Sequence, residues 1–174
     1  SHTLSCPLGW QVQAAALAAK AGWSMDKIVS KLSEISAKTE AMFTVATMKY
    51  LIHGGRISHL KGLVASMLNI KPIIGVEKER GTYVTYGQDF TLKRSIQKMA
   101  NKVLNWNPEG SKLRVQPLHG KNPEGAALMV EELKKHFDLV LEPLTSIAPV
   151  LGAHTGPGLV GLAVAPVDTF SGLL

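Results

Sequence analysis

Residues 70–105 decide the fold class: IKPIIGV (70–76), EKERG (77–81), TYVTY (82–86), and TLKRSIQKMANKVLN (91–105). The first and third pieces are rich in β-branched and aromatic residues. Arg80-Gly81 between them has turn chemistry, so the two read as an antiparallel pair. Pro72 argues for an edge strand or for the start of one. Thr91 opens a helix with Leu92, Ile96, Met99, Val103 and Leu104 along one side, an apolar stripe that a sheet can receive.

The alternation continues outward. Gly9 to Ala21 is an Ala-rich helix stopped by Gly22, and Ser24 caps a second helix over Met25 to Glu40, with Ile28, Leu32 and Ile35 at helical spacing. Met42 to Ala46 reads as a strand. Thr47 caps a short helix, Met48 to His53, ended by Gly54-Gly55, and Leu60 to Leu68 is another helix. Beyond residue 105, Leu113 to Leu118 is a strand, Pro123 to His136 a helix with Pro at its first position, and Asp138 to Glu142 a strand. Leu144 to Val150 fits neither period, and Leu159 to Ala165 is an apolar terminal strand. This order predicts an α/β (α+β) fold, with helices packed on a mixed sheet.

The chain has 174 residues, 45% apolar and 18% charged, the balance of a globular domain with a sizeable core. Aromatics are only 6%, so that core is mainly aliphatic. A single cysteine, Cys6, excludes an internal disulfide and fits a reducing, cytoplasmic setting. No apolar run reaches the length of a transmembrane segment. The first residues lack the basic start and apolar core of a signal peptide. The net charge is +6, yet Lys and Arg never run beyond two and no aromatics interleave with them, which argues against nucleic acid. Between Glu40 and Glu77 no acidic residue occurs, while Lys49, Arg56, Lys61 and Lys71 all do. That local positive field suits an anionic ligand or an acidic partner, or is a solvated basic face.

Two glycine motifs stand out in apolar surroundings: HGGRIS (53–58) and HTGPG (154–158). Gly54 and Gly55 can take positive φ and expose N–H groups in a nest, beside an Arg56 guanidinium able to grip a carboxylate or phosphate. The competing reading has Arg56 tying the turn to a neighbouring carbonyl. In the second motif Pro157 stiffens a loop, and Gly156 and Gly158 relieve crowding. His154 then either donates to an anion or is a satisfied structural histidine. There is no P-loop, GxSxG, HExxH or zinc spacing, so no catalytic residue or metal ligand is assigned.

At residues 43–58 (FTVATMKYLIHGGRIS), 68–74 (LNIKPII) and 152–159 (GAHTGPGL) the chain resembles the DegV family of fatty-acid-binding proteins. The segment from Leu4 to Gly9, with the Ala-rich helix, resembles the point where the family leaves its first domain. The resemblance implies a two-domain protein burying a long-chain fatty acid and presenting its carboxylate to a separate fatty acid kinase, with no cofactor and no catalysis of its own. It implies ligand contacts at Arg56, His154, Gly54, Gly55, Ser58, Thr155 and Gly156, and a pocket wall at Leu68, Ile70, Ile73 and Ile74.

The Thr-Ser and Ser-Gly-Thr elements of the family's amino-terminal half do not occur here. The chain therefore resembles a carboxy-terminal portion: residues 1–45 as the end of an amino-terminal α/β domain and 46–174 as the DegV-like lipid-binding domain. Two other readings stay open: a small hydrolase or transferase using His154 as base, with Thr155 or Ser58 as nucleophile, and an interaction domain without ligand.

Overall fold

The computed structural model describes residues 1–57 and 69–173. The Ala-rich segment forms α1 (Ser5–Lys20), and Ser24 caps α2 (Met25–Lys38) by accepting from Lys27 N. Strand β1 is Glu40–Thr44 and α3 is Lys49–His53. The hairpin is β2 (Lys71–Glu77) and β3 (Thr82–Asp89), turned at Gly81 with φ +66°. Thr91 caps α4 (Leu92–Leu104) through Arg94 N. Then come β4 (Lys112–Gly120), α5 (Pro123–Lys134, capped by Asn122) and β5 (Asp138–Leu141). The segment 144–150, which fits neither period, divides between β6 (Thr145–Ser146) and the start of α6 (Pro149–Thr155). Strand β7 is Leu159–Pro166, followed by a 3-10 turn, Val167–Phe170. The expected helix from Leu60 to Leu68 lies outside the described residues.

The fold is α/β, with helices on both faces of a mixed sheet in the order β3-β2-β1-β7-β4-β5, and β6 also pairs with β4. The sheet settles two placements. Pro72 is the second residue of an interior strand, held between β1 and β3, so the strand-start reading applies and the edge reading does not. The last strand in sequence is central in space: β7 lies between β1 and β4, antiparallel to both. A strand apolar on both faces needs cover on both faces, and only an interior position supplies it.

Alternation along the strands sorts the core. Val160, Leu162 and Val164 of β7, with Met42, Ile73, Leu113 and Val115, meet α4 and α5. On the other face, Ala163 and Ala165 leave room for Trp10 of α1, Ile35 of α2 and Phe170. Leu159 and Ile74 pack there under Leu51 of α3.

Arg114 of β4 is 5% exposed on this second face. Its guanidinium lies 4.6 Å from the ring centres of both Trp10 and Phe170, donates from Nε to Glu142 at 2.7 Å and from Nη2 to Gln13 at 2.9 Å. An unpaired buried cation costs more than a removed one. Glu142→Gln, which leaves the guanidinium without its carboxylate, is therefore expected to lose about 1–3 kcal/mol. Arg114→Met keeps an unbranched stem between the two rings and should lose less; urea unfolding of both variants checks the order.

Candidate functional site

Both glycine motifs are helix ends. Helix α3 stops in a Schellman closure: Arg56 N donates to Leu51 O at 2.9 Å and Gly55 N to Ile52 O at 3.1 Å, with Gly55 at φ +68°. Gly54 N donates to Tyr50 O at 2.8 Å. The expected nest is thus corrected: these N–H groups are engaged by the helix's own last carbonyls. The exposed Arg56 guanidinium donates from Nη1 to Gly54 O at 3.0 Å, the turn-tying contact, and makes no other hydrogen bond among the described residues.

The second motif is corrected as well. His154 and Thr155 are not in a loop but close α6, and Thr155 Oγ1 donates to Leu151 O at 2.8 Å. Gly156 (φ +74°) and Gly158 (φ +90°) then carry the chain into β7. Left-handed backbone of this kind favours glycine, because a Cβ would crowd the carbonyl that follows.

The two motifs meet. A side chain on Gly54 would collide with Nδ1 of His154, and one on Gly156 would collide with the Tyr50 ring. Each helix end therefore accepts a ring from the other: His154 of α6 lies on Gly54, and Tyr50 of α3 lies on Gly156. Arg56 hydrogen-bonds the carbonyl of that same Gly54. The His154 Nδ1 atom is buried and has no hydrogen-bond partner among the described residues.

Beside this junction, on the same face of the sheet, lies an apolar cleft of about 50 Å³. Gly161 of β7 lines it between Phe43 and Leu118, with Leu151 and Thr155 of α6 on one side and Leu4 and Pro7 at the start of α1 on the other. Phe43 and Tyr83 meet edge to face at 5.6 Å and both line it. Its volume is well below the ~300–1,000 Å³ of enclosed small-molecule pockets.

The expected residues are distributed as follows. Arg56, His154, Gly54, Gly55, Thr155 and Gly156 gather at the α3–α6 junction. Ser58 and Leu68 lie outside the described residues. Ile74 faces α3 on the junction's side of the sheet, whereas Ile73 faces α4 on the opposite side. Ile70 is buried just ahead of β2. Neither Ile70, Ile73 nor Ile74 lines the cleft; Val76, two residues beyond Ile74, does. Phe43, Leu118, Leu159 and Gly161 were missed as lining. Their period-two spacing is visible in the sequence, but which face carries the cleft is not. Among the described residues no group of three His, Cys, Asp or Glu gathers as a metal site.

A family model described as an uncharacterised protein of the DegV family matches residues 1–167. The chain belongs to the DegV family. A DegV domain-containing protein of Deinococcus radiodurans is 37% identical over 166 residues, covering 95% of this chain and 58% of that protein. A Thermotoga maritima protein named a fatty acid-binding protein is 31% identical over 149 residues, 84% of this DegV chain and 51% of its own length. Of solved structures, a DegV lipid-binding protein from Thermotoga maritima superposes with TM-score 0.80 at 27% identity, covering 92% of this chain and 55% of that one. A second Thermotoga maritima protein, described as revealing fatty acid binding function, superposes at 0.78 with 26% identity. This DegV chain spans little more than half the length of these relatives.

The ring-on-glycine contact can be tested alone, because Gly54 has φ −76° and alanine there meets no backbone strain. Gly54→Ala is expected to cost about 1–3 kcal/mol by overpacking against His154. Adding His154→Ala should recover part of that loss. The rest persists because Tyr50 O lies 3.0 Å from the new Cβ. A double-mutant cycle by urea unfolding reads the coupling.

Proposed function

We propose that this chain is the carboxy-terminal part of a non-catalytic fatty-acid carrier, whose apolar cleft takes the acyl tail of a long-chain fatty acid while Arg56 and His154 serve its carboxylate. One observation carries the reading: a buried His154 nitrogen without a partner among the described residues stands at a junction with Arg56, next to a cleft lined almost wholly by apolar side chains. An unpaired buried polar atom is costly unless something supplies its partner. Gly54, Gly55, Ser58, Thr155 and Gly156 are proposed to shape or contact this head region. The names of the two Thermotoga maritima relatives support the choice of ligand. Against the hydrolase reading, the Thr155 hydroxyl already donates to Leu151 O.

The loaded carrier is proposed to present the carboxylate to a cytoplasmic fatty acid kinase. The run from Glu40 to Glu77 without an acidic residue, bearing Lys49, Arg56, Lys61 and Lys71, supports an acidic docking partner. Among the described residues no helix is long and apolar enough to cross a membrane.

An amino-terminal half is proposed to complete the enclosure. Burial offers ~0.8 kcal/mol per methylene, but a wet half-cleft forfeits much of it. A solvent-exposed Arg–carboxylate pair adds only about 0–1 kcal/mol. The chain alone should therefore bind a fluorescent fatty acid weakly, and a form extended upstream of Ser1 tightly. Equal, tight binding by both would show that the present chain suffices.

Organic extraction and mass spectrometry of the purified extended protein should release a fatty acid. His154→Ala should reduce its retention about tenfold, one charge-assisted hydrogen bond, with little change in melting temperature. Absence of lipid together with absence of fatty acid binding in either form would leave the interaction-domain reading. A loaded protein that yields no acyl phosphate with a fatty acid kinase and ATP would remove the kinase step.

A further inference from the structure

Tyr83 stands apart from the rest of the cleft lining. It is half-buried on β3, on the cleft face of the sheet, and its ring is held edge-on by Phe43 at 5.6 Å. Its hydroxyl has no hydrogen-bond partner among the described residues, and the cleft its side chain lines is almost wholly apolar. Tyr83 and Ile57, the residue after Arg56, pack against the same cluster of Val45, Leu51, Ile74 and Leu159, so β3 meets the end of α3 on this face. Burial pushes the Tyr83 pKa up, and the positive charge of Arg56 acts on it in the opposite direction. The phenol is therefore a neutral donor at physiological pH. A half-buried hydroxyl with no acceptor among the described residues, on the face that carries the Arg56 turn, is free to donate to an anion with room for two donors.

We propose that the Tyr83 hydroxyl donates a hydrogen bond to the ligand's carboxylate and positions it against Arg56. This rests on the fatty-acid reading above and adds to it a residue from β3, an element outside both glycine motifs. The other tyrosines differ. Tyr50 is committed to Gly156, and Tyr86 points to the opposite face, over Gly75 and beside Trp106. The role is one of orientation: Phe43 fixes the ring, the ring fixes the hydroxyl, and the hydroxyl favours a carboxylate, the stronger acceptor, over its neutral ester.

Tyr83→Phe keeps the ring and removes only the donor. Oleate and methyl oleate are titrated against wild type, Tyr83→Phe and the opposite-face control Tyr86→Phe. Both the chain as it stands and the form extended upstream of Ser1 are used. The expected result is an oleate affinity about tenfold weaker in Tyr83→Phe, methyl oleate changed less than about twofold, and the control unchanged for both. Unchanged oleate affinity, or equal weakening of oleate and ester, would overturn the positioning role; the latter would assign Tyr83 to packing alone. If wild type binds neither probe in either form, the carrier reading itself fails, and this role with it.

Discussion

The structure depends on the burial of β7 between β1 and β4. Every residue from Leu159 to Ala165 is buried, so both faces and both edges of this strand are satisfied only once the sheet is complete. The two faces differ in size. Val160, Leu162 and Val164 fill the side of α4 and α5, whereas Gly161, Ala163 and Ala165 present a shallow surface on the other. Trp10 and Phe170 fill the shallow surface at the two alanines, meeting at 5.6 Å almost at right angles. At Gly161 no large side chain among the described residues enters, and the gap between α6 and the start of α1 is the cleft. One small residue in a row of small residues thus turns a packing surface into a recess.

The α3–α6 junction applies the same physics at a helix end. A glycine there does two jobs: it allows the left-handed turn at Gly55 or Gly156, and it allows a ring to approach the backbone at Gly54 or Gly156. Because each helix end receives a ring from the other, the two glycine motifs pack as a pair. The polar groups follow from this packing: Arg56 is tethered to the Gly54 carbonyl and His154 is set against Gly54 itself. In the proposed carrier, rigid placement matters more than number of contacts, since a head group held at a cleft rim gains little from any charge left free to wander in water.

Much was legible in the chain. Ser24 and Thr91 open α2 and α4 as short polar side chains do before an apolar period, and Pro123 stands at the first position of α5. The hairpin at Gly81, the apolar stripe of α4 and the order of most elements follow from local patterns. The relation of HGGRIS and HTGPG to helix ends was only half legible. The first was read as a helix stop, but the second was read as a loop because the 144–150 segment has no clear period and hides the start of α6 at Pro149.

The sequence by itself determined which elements form and which residue types bear the chemistry, because capping, periodicity and turn preference act within a few residues. Tertiary structure alone decided that the last strand is central, that Ile73 meets α4 while Ile74 meets α3, and that Tyr83 joins Phe43 in the cleft. It also decided that Gly54 receives His154 from a hundred residues away. Those outcomes rest on which apolar faces cover each other across the sheet, a competition among distant segments that no local window of the chain contains.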